Sequence, residues 1–261
     1  MSQSIERGLL IGERRRRIRE LLRAEGRVTV ESLAARFGTS QVTIRADLTT
    51  LESAGALTRT HGGALSVAEG DQSLDFKQLQ RRAEKLRIAA AAAALIRDGE
   101  TIVLDSGTTT AEIARRIRTL EIRSVNVITN ALNIAALLID VAAVRLIVPG
   151  GILRRDSNSL SGPMAEAALD TLQADRLYLG ADGIDPQIGI MTPHVAEAQL
   201  NARMIAMSRH VVVVADSSKF ARRNISLIAR TEQLHMLITD RGAPPEAVEQ
   251  LRQRGTEVRL V

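Results

Sequence analysis

The sequence has no cysteine and only four aromatic residues, Phe37, Phe76, Tyr178 and Phe220. Without thiols there are no disulfides, no thiolate nucleophile and no zinc ribbon. That composition suits a reducing cytoplasm, where the protein is expected to reside. So few rings leave little with which to stack unpaired bases, so a nucleic-acid partner would be duplex DNA rather than RNA. Lysine is scarce as well: of 35 basic residues only Lys77, Lys85 and Lys219 are lysines. The four histidines, His61, His194, His210 and His235, show no metal-ligand spacing, and neither a metal nor a cofactor is expected. No Gly-Lys of a Walker A loop occurs, and no Gly-x-Gly-x-x-Gly dinucleotide fingerprint. Apolar runs such as Ile134 to Ile139 fall far short of the roughly 20 residues of a membrane span. The start MSQSIERG has no apolar core, so a soluble, unexported protein with no membrane partner is expected.

What is present is ordinary globular material, 261 residues with 45% hydrophobic and 25% charged side chains, enough for one layered domain or two. The charge is uneven. Through Ser66 there are 11 basic against 7 acidic residues, a net of +4, while the remaining 24 against 23 give +1. A basic front quarter favours an anionic polymer as its partner, although basic helical faces are also commonly just solvated.

Within that front, Glu13 to Ala24 reads as a helix with Ile18, Leu21 and Leu22 on one face and Arg14 to Arg17, Arg19 and Arg23 largely around the other. Gly26 ends it. Val28 suits a short strand, Thr29 a cap, and Val30 to Phe37 a second helix closed by Gly38. A third begins in TSQVTIRADLTTLESAG, with Ser40 as N-cap and Gly55 as stop. Ile44, Leu48 and Leu51 share its inner stripe, which leaves Val42, Arg45, Ala46 and Thr49 outward, with Gln41 and Thr43 near the start. This is helix-turn-helix geometry, and LTRTHGGALSV after it is the pattern of a β-hairpin wing. Arg59 and His61 are candidates to reach phosphates or a minor groove, and Gly62 and Gly63 would let the backbone approach a duplex. A helical hairpin that merely packs or dimerises is the plainer alternative.

The phrase TIRADL…LE..G.L.R.HGGA is long and fixed in spacing, and residues 13–66 resemble the N-terminal winged helix of the DeoR family of bacterial transcription regulators. The resemblance implies DNA contacts by Ser40, Gln41, Thr43, Arg45, Thr49, Arg59, His61, Gly62 and Gly63. The family usually carries a second arginine where this chain has Ala46, so one base or backbone contact is expected to be missing.

After the polar stretch Ala68 to Ser73 a helix is expected from Gln78 to Ile96, through the close-packing run Ala89 to Ala94. Then apolar segments alternate with helical ones: TIVLD, VNVIT, VRLIV, RLYLGAD, HVVVVAD, HMLITD and TEVRLV. Continuous apolar strands are buried on both faces, which predicts an α/β domain with a largely parallel sheet. Three segments are therefore expected: residues 1–66 as the winged helix, 67–77 as a linker and 78–261 as the α/β domain.

Polar residues gather at the ends of these strands: Asp105, Thr129 with Asn130, Asp182, Asp216 and Asp240, the last read as an ordinary turn former. Ligands of open parallel sheets bind outside such ends. Between a strand and a helix start, Ser106 to Thr110 offers free N–H groups and hydroxyls to an anion, although such residues also cap helices without ligands. A small phosphate ester suits it. Asp105 would repel a phosphate aimed at it, so it serves sugar hydroxyls or braces the loop. Lys219 in ADSSKF is a compact cation for phosphate or a sugar oxygen, Asp182 and Glu197 are acceptors for hydroxyls, and Gly150 with Gly151 would admit ligand close to the backbone.

DSGTTT, ITN, PGG, GADGI, EA and ADSSKF stand in the order of the DeoR-type sensor domain, which residues 78–261 resemble. That domain is similar in fold to ribose-5-phosphate isomerase, glucosamine-6-phosphate deaminase and CoA transferases. The resemblance implies an effector site of Asp105, Ser106, Gly107, Thr108, Thr109, Thr129, Asn130, Gly150, Gly151, Asp182, Glu197 and Lys219, and a phosphorylated sugar or polyol as effector. The expected protein is a repressor of a carbohydrate operon, a homo-oligomer (dimer or tetramer) that leaves its double-stranded operator when the effector binds. The alternative is a sugar-phosphate isomerase or deaminase with a basic head, using Asp182, Glu197 and Lys219 for acid–base work. A recognition helix and wing favour the regulator.

Overall fold

In the computed structural model, which describes residues 9–54, 56–60, 62–66, 74–220 and 222–261, the chain divides between Leu79 and Gln80 into two units. The first holds α1 (Ile11–Glu25), β1 (Arg27–Thr29), α2 (Val30–Phe37), α3 (Gln41–Ser53), β2 (Leu57–Thr60), β3 (Gly63–Ser66) and α4 (Leu74–Leu79). Gly26 and Gly38 close α1 and α2 in the left-handed conformation. Thr29 and Ser32 cap each other reciprocally at the start of α2, and the Ser40 hydroxyl accepts from Thr43 N–H at the start of α3. Ile18, Leu22, Leu33, Phe37, Ile44 and Leu48 meet in one core. Each such side chain stabilises the unit by about 1.5–3 kcal/mol.

Two features of this unit were not read from the sequence. Arg14 and Arg15 do not lie free on a solvated face: both donate through Nε to the buried carboxylate of Asp47 on α3, at 2.6 and 2.8 Å. Part of the basic run is thus spent inside the fold. Gly63 is required by the protein itself, because β3 pairs with β1 as well as β2. A Cβ there would lie 2.0 Å from the Val28 carbonyl oxygen. Gly62 has open space around it, and Gly55 and His61 lie outside the described residues.

The helix expected from Gln78 to Ile96 is in fact two, α4 and α5 (Arg82–Ala93), separated at Arg81, whose φ is +50°. Residues 74–77, expected as linker, belong to α4; residues 67–73 lie outside the described residues.

The second unit continues with β4 (Thr101–Leu104), α6 (Thr108–Ile117), β5 (Val125–Thr129), α7 (Leu132–Leu138) and β6 (Val144–Ile147). A hairpin of β7 (Ile152–Arg154) and β8 (Ser159–Ser161) leads to α8 (Pro163–Leu169) and β9 (Ala174–Leu179). Then come β10 (Gly183–Asp185), β11 (Gly189–Thr192), α9 (Val195–Ala206), β12 (Ser208–Val214), β13 (Ser226–Arg230), β14 (Met236–Thr239), α10 (Pro245–Gln253) and β15 (Glu257–Leu260). Seven strands form a wholly parallel sheet in the order β15-β14-β12-β9-β4-β5-β6. They are the seven apolar segments read from the sequence. Val103, Leu177, Leu179 and Val213 face a core shared with α8, α9 and α10, while their neighbours Ile102, Leu104, Tyr178, Val212 and Val214 face another shared with α5, α6 and α7. Period-two alternation between two buried faces is why these strands read as unbroken apolar runs. A three-stranded antiparallel sheet, β10-β11-β13, is added beside them.

Candidate functional site

The sheet reverses its order of growth between β4 and β9: from β4 the chain proceeds outward to β5 and β6, whereas β9 is followed outward by β12, β14 and β15. A crevice outside the strand ends at such a switch point is where parallel α/β sheets take ligands. Asp105 stands there. One of its oxygens accepts from Gly107 N–H at 2.9 Å and the Thr110 hydroxyl at 2.8 Å, and the other accepts from Gly180 N–H, at the end of β9, at 2.8 Å. Burial pushes the Asp105 carboxyl above the usual carboxylate range, the charge of Asp182 adds to the rise, and these three hydrogen bonds oppose it. Of the two roles open to Asp105 in the sequence, its geometry is that of the brace.

The brace shapes the loop in front of α6. A Cβ on Gly107 would lie 3.0 Å from the Asp105 carboxylate and 3.1 Å from the Thr110 hydroxyl, so the turn has no room for a side chain. Among the described residues no side chain caps α6, which leaves the N–H groups of its first turn available. Ser106 and Thr108 are half-buried, whereas Thr109 and Thr110 are buried.

The end of β5 is tied down in a similar way. The Thr129 hydroxyl accepts from Ala131 N–H, and the Asn130 amide donates to the Leu160 carbonyl at 3.0 Å. Asn130 Oδ1 is buried without a hydrogen-bond partner among the described residues. Gly150 is exposed. At Gly151, φ is +139° and a Cβ would lie 2.7 Å from the Ser161 carbonyl oxygen, so this glycine makes room for the chain's own β8. Asp240 accepts from Ser217 and Gly242 N–H, and Asp216 from Ser218 N–H, the turn-forming work expected of Asp240.

Beyond β9 five side chains form a row in which two carboxylates, bridged by a hydroxyl, lie between two cations. Lys219 lies 3.9 Å from Asp182; the Thr192 hydroxyl lies 3.2 Å from both Asp182 and Glu197; and Arg154 donates to Glu197 at 3.1 Å. A hydroxyl has one proton to donate, so Thr192 serves one carboxylate at a time while the two outer cations offset the like charges. Three members of this row were legible in the sequence. Thr192 and Arg154 were not, nor was His194, whose Nε2 contacts the Arg154 guanidinium. The one available signal was the placement of Thr192 and His194 five and three residues before Glu197.

On the first unit, Ser40, Gln41, Val42, Arg45, Ala46 and Thr49 are exposed and Thr43 is half-buried. Arg59 of β2 donates to the Thr49 hydroxyl at 2.8 Å, fastening the hairpin to α3. The Arg45 guanidinium has no ion pair among the described residues.

A winged helix-turn-helix followed by an α/β unit whose parallel sheet has a switch point defines a class of ligand-responsive transcription regulator. Residues 14–69 match the DeoR-like helix-turn-helix domain and residues 80–241 the DeoR C terminal sensor domain. The chain belongs to the DeoR family, and it is a DNA-binding transcriptional regulator, not an enzyme. A protein of Escherichia coli O157:H7 assigned as the aga operon transcriptional repressor is 42% identical over 253 residues, 95% of this chain and 93% of that one. The HTH-type transcriptional regulator YulB of Bacillus subtilis (strain 168) is 33% identical over 255 residues, 97% of this chain and 98% of its own. Among solved structures, ribose 5-phosphate isomerase A of Methanocaldococcus jannaschii aligns with a TM-score of 0.40 and 20% identity over 54% of this chain and 56% of that one. No described helix is long and apolar enough to cross a membrane.

Proposed function

We propose that this regulator represses a carbohydrate-utilisation operon in the cytoplasm by binding duplex operator DNA, and that a phosphorylated sugar or polyol releases it. The first unit grips DNA and the second senses. The observation that carries the sensing half is the uncapped first turn of α6 beside the switch point, with the half-buried hydroxyls of Ser106 and Thr108 next to it. A helix start with available N–H groups favours an anion.

In this reading Ser106, Gly107, Thr108 and Thr109 cradle the phosphate, Asp105 holds their loop, and Lys219 supplies a cation. Asp182 and Glu197 accept from sugar hydroxyls, while Thr129, Asn130, Gly150 and Gly151 wall the β5–β6 side. On DNA, α3 enters the major groove with Ser40, Gln41, Thr43, Arg45 and Thr49, and the hairpin meets the backbone with Arg59, His61, Gly62 and Gly63. A two-fold operator requires two such heads at a set separation, so the working species is a dimer or tetramer. An effector that binds better to another arrangement weakens DNA affinity by its differential affinity. The test is a thermal-shift panel of sugar phosphates, followed by operator binding with each hit. Protein that ignores operator fragments yet turns over a phosphorylated sugar would overturn the proposal.

A further inference from the structure

The β7–β8 hairpin and the start of α9 line an open pocket of about 290 Å³, formed by Arg154, Ser159, Ser161, Pro193, His194 and Glu197 among others. It adjoins the elements of the effector site on two sides. The hairpin is stapled to the end of β5 by the Ala131–Ser159 bridge and by the hydrogen bonds between Asn130 and Leu160. Glu197 is joined through the Thr192 hydroxyl to Asp182. We infer that this pocket receives the hydroxylated end of the effector, and that Arg154 with His194 reads the stereochemistry of that end. The inference rests on the reading that the effector is a phosphorylated sugar or polyol.

The charges decide what the pocket takes. Arg154 donates to Glu197 at 3.1 Å, so its positive charge is already offset, and a second phosphate placed here would face the Glu197 carboxylate. Arginine only donates, so in its contact with His194 the ring Nε2 is the acceptor. The lining therefore combines donors on Arg154 and Ser161 with the acceptor Glu197 at no net charge. Sugar hydroxyls, each a donor and an acceptor, match such a lining, and Pro193, Val195 and Ala196 suit their C–H faces. Arg154 is held on one side by Glu197 and on another by His194, so its planar fork is fixed before any ligand arrives. A fixed fork discriminates by hydroxyl position, because a bound ligand with a misplaced hydroxyl displaces water from the donor without replacing its hydrogen bond.

The test is calorimetry on the full chain with inorganic phosphate, glycerol 3-phosphate and a set of epimeric hexose 6-phosphates. Thr108→Trp should lose every phosphorylated probe. Arg154→Met should bind inorganic phosphate and glycerol 3-phosphate within about twofold of wild type. It should weaken the tightest hexose phosphate by about tenfold or more and bring the epimers close together. Arg154→Lys, which keeps the charge without the fork, should lose the same discrimination. If Arg154→Met does not fold, Arg154→Lys and His194→Phe carry the comparison. Equal weakening of inorganic phosphate and hexose phosphate would make Arg154 a phosphate ligand and overturn the inference, and so would an unchanged ranking of epimers. Wild-type protein that binds none of the phosphorylated probes would overturn the effector reading itself and this inference with it.

Discussion

The Asp105 carboxylate at the end of β4 accepts a 2.8 Å hydrogen bond from the backbone N–H of Gly180 at the end of β9. That bond crosses the switch point of the sheet, and the other carboxylate oxygen holds Gly107 and Thr110. Asp105→Asn keeps the shape but replaces one acceptor oxygen by a donor. Whichever way the amide turns, an N–H on one side faces another N–H. The expected cost is about 1–3 kcal/mol in denaturant unfolding, the penalty of a buried donor left unmatched, together with loss of the response to a phosphorylated effector. An unaltered unfolding midpoint would mean that Asp105 braces nothing.

The inner strands of the parallel sheet were legible because both of their faces are buried; in β4, Ile102, Val103 and Leu104 enter two cores in turn with no polar residue between them. The additions on the sheet were not. β7, β8 and β10 are three residues each, too short to show a period, and β11 is bounded by glycine and proline. Arg154 was hidden by composition: in a chain that uses arginine for nearly all its positive charge, no arginine stands out, whereas the rare Lys219 did. The break at Arg81 carries neither glycine nor proline to announce it. Asp47 sits on the inner stripe of α3, where the eye follows Ile44, Leu48 and Leu51.

Asp47 is the fold's answer to part of the arginine run. Its side chain is 2% exposed and holds both Arg14, 11% exposed, and Arg15. Removing Asp47 leaves the nearly buried Arg14 without its counter-charge and with little water to replace it. Asp47→Ala should therefore destabilise the first unit by about 3–5 kcal/mol, seen as an earlier unfolding step of the full chain. Exposed pairs such as Arg17 with Glu20 should each contribute about 1 kcal/mol or less. Equal effects from Asp47→Ala and Glu20→Ala would refute the distinction.

Arg45 differs from Arg14 and Arg15 in being exposed on α3 with no ion pair among the described residues. If it meets a phosphate, Arg45→Ala should weaken all DNA about equally and lower the slope of log affinity against log salt by about 1. If it meets a base edge, the loss should be about 1–3 kcal/mol on operator and much smaller on random duplex. Titrations of operator and random duplex at several salt concentrations separate the two outcomes. Indifference of both would remove Arg45 from the DNA contact.

His235 supplies a pH dependence at the N-terminal ends of the parallel strands, opposite the candidate site. Its Nδ1 accepts from Val211 N–H at 3.1 Å, which requires that nitrogen to be unprotonated. Partial loss of hydration holds the ring below its ordinary value of 6.5, although the residue as a whole stays exposed, and the neighbouring His210, 5.2 Å away between ring centroids, adds to the depression. With the folded value below the unfolded one, the unfolded chain takes up the proton first as pH falls. The contribution to stability is thus complete above 6.5 and lost as pH falls through the folded value. His235→Asn places an amide oxygen where Nδ1 was, so it keeps the acceptor and removes the titration. The melting temperature of wild type should fall faster than that of His235→Asn as pH is lowered from about 7.5 to about 5. Parallel curves would show that folding leaves the affinity of His235 for its proton unchanged and that it carries none of the dependence.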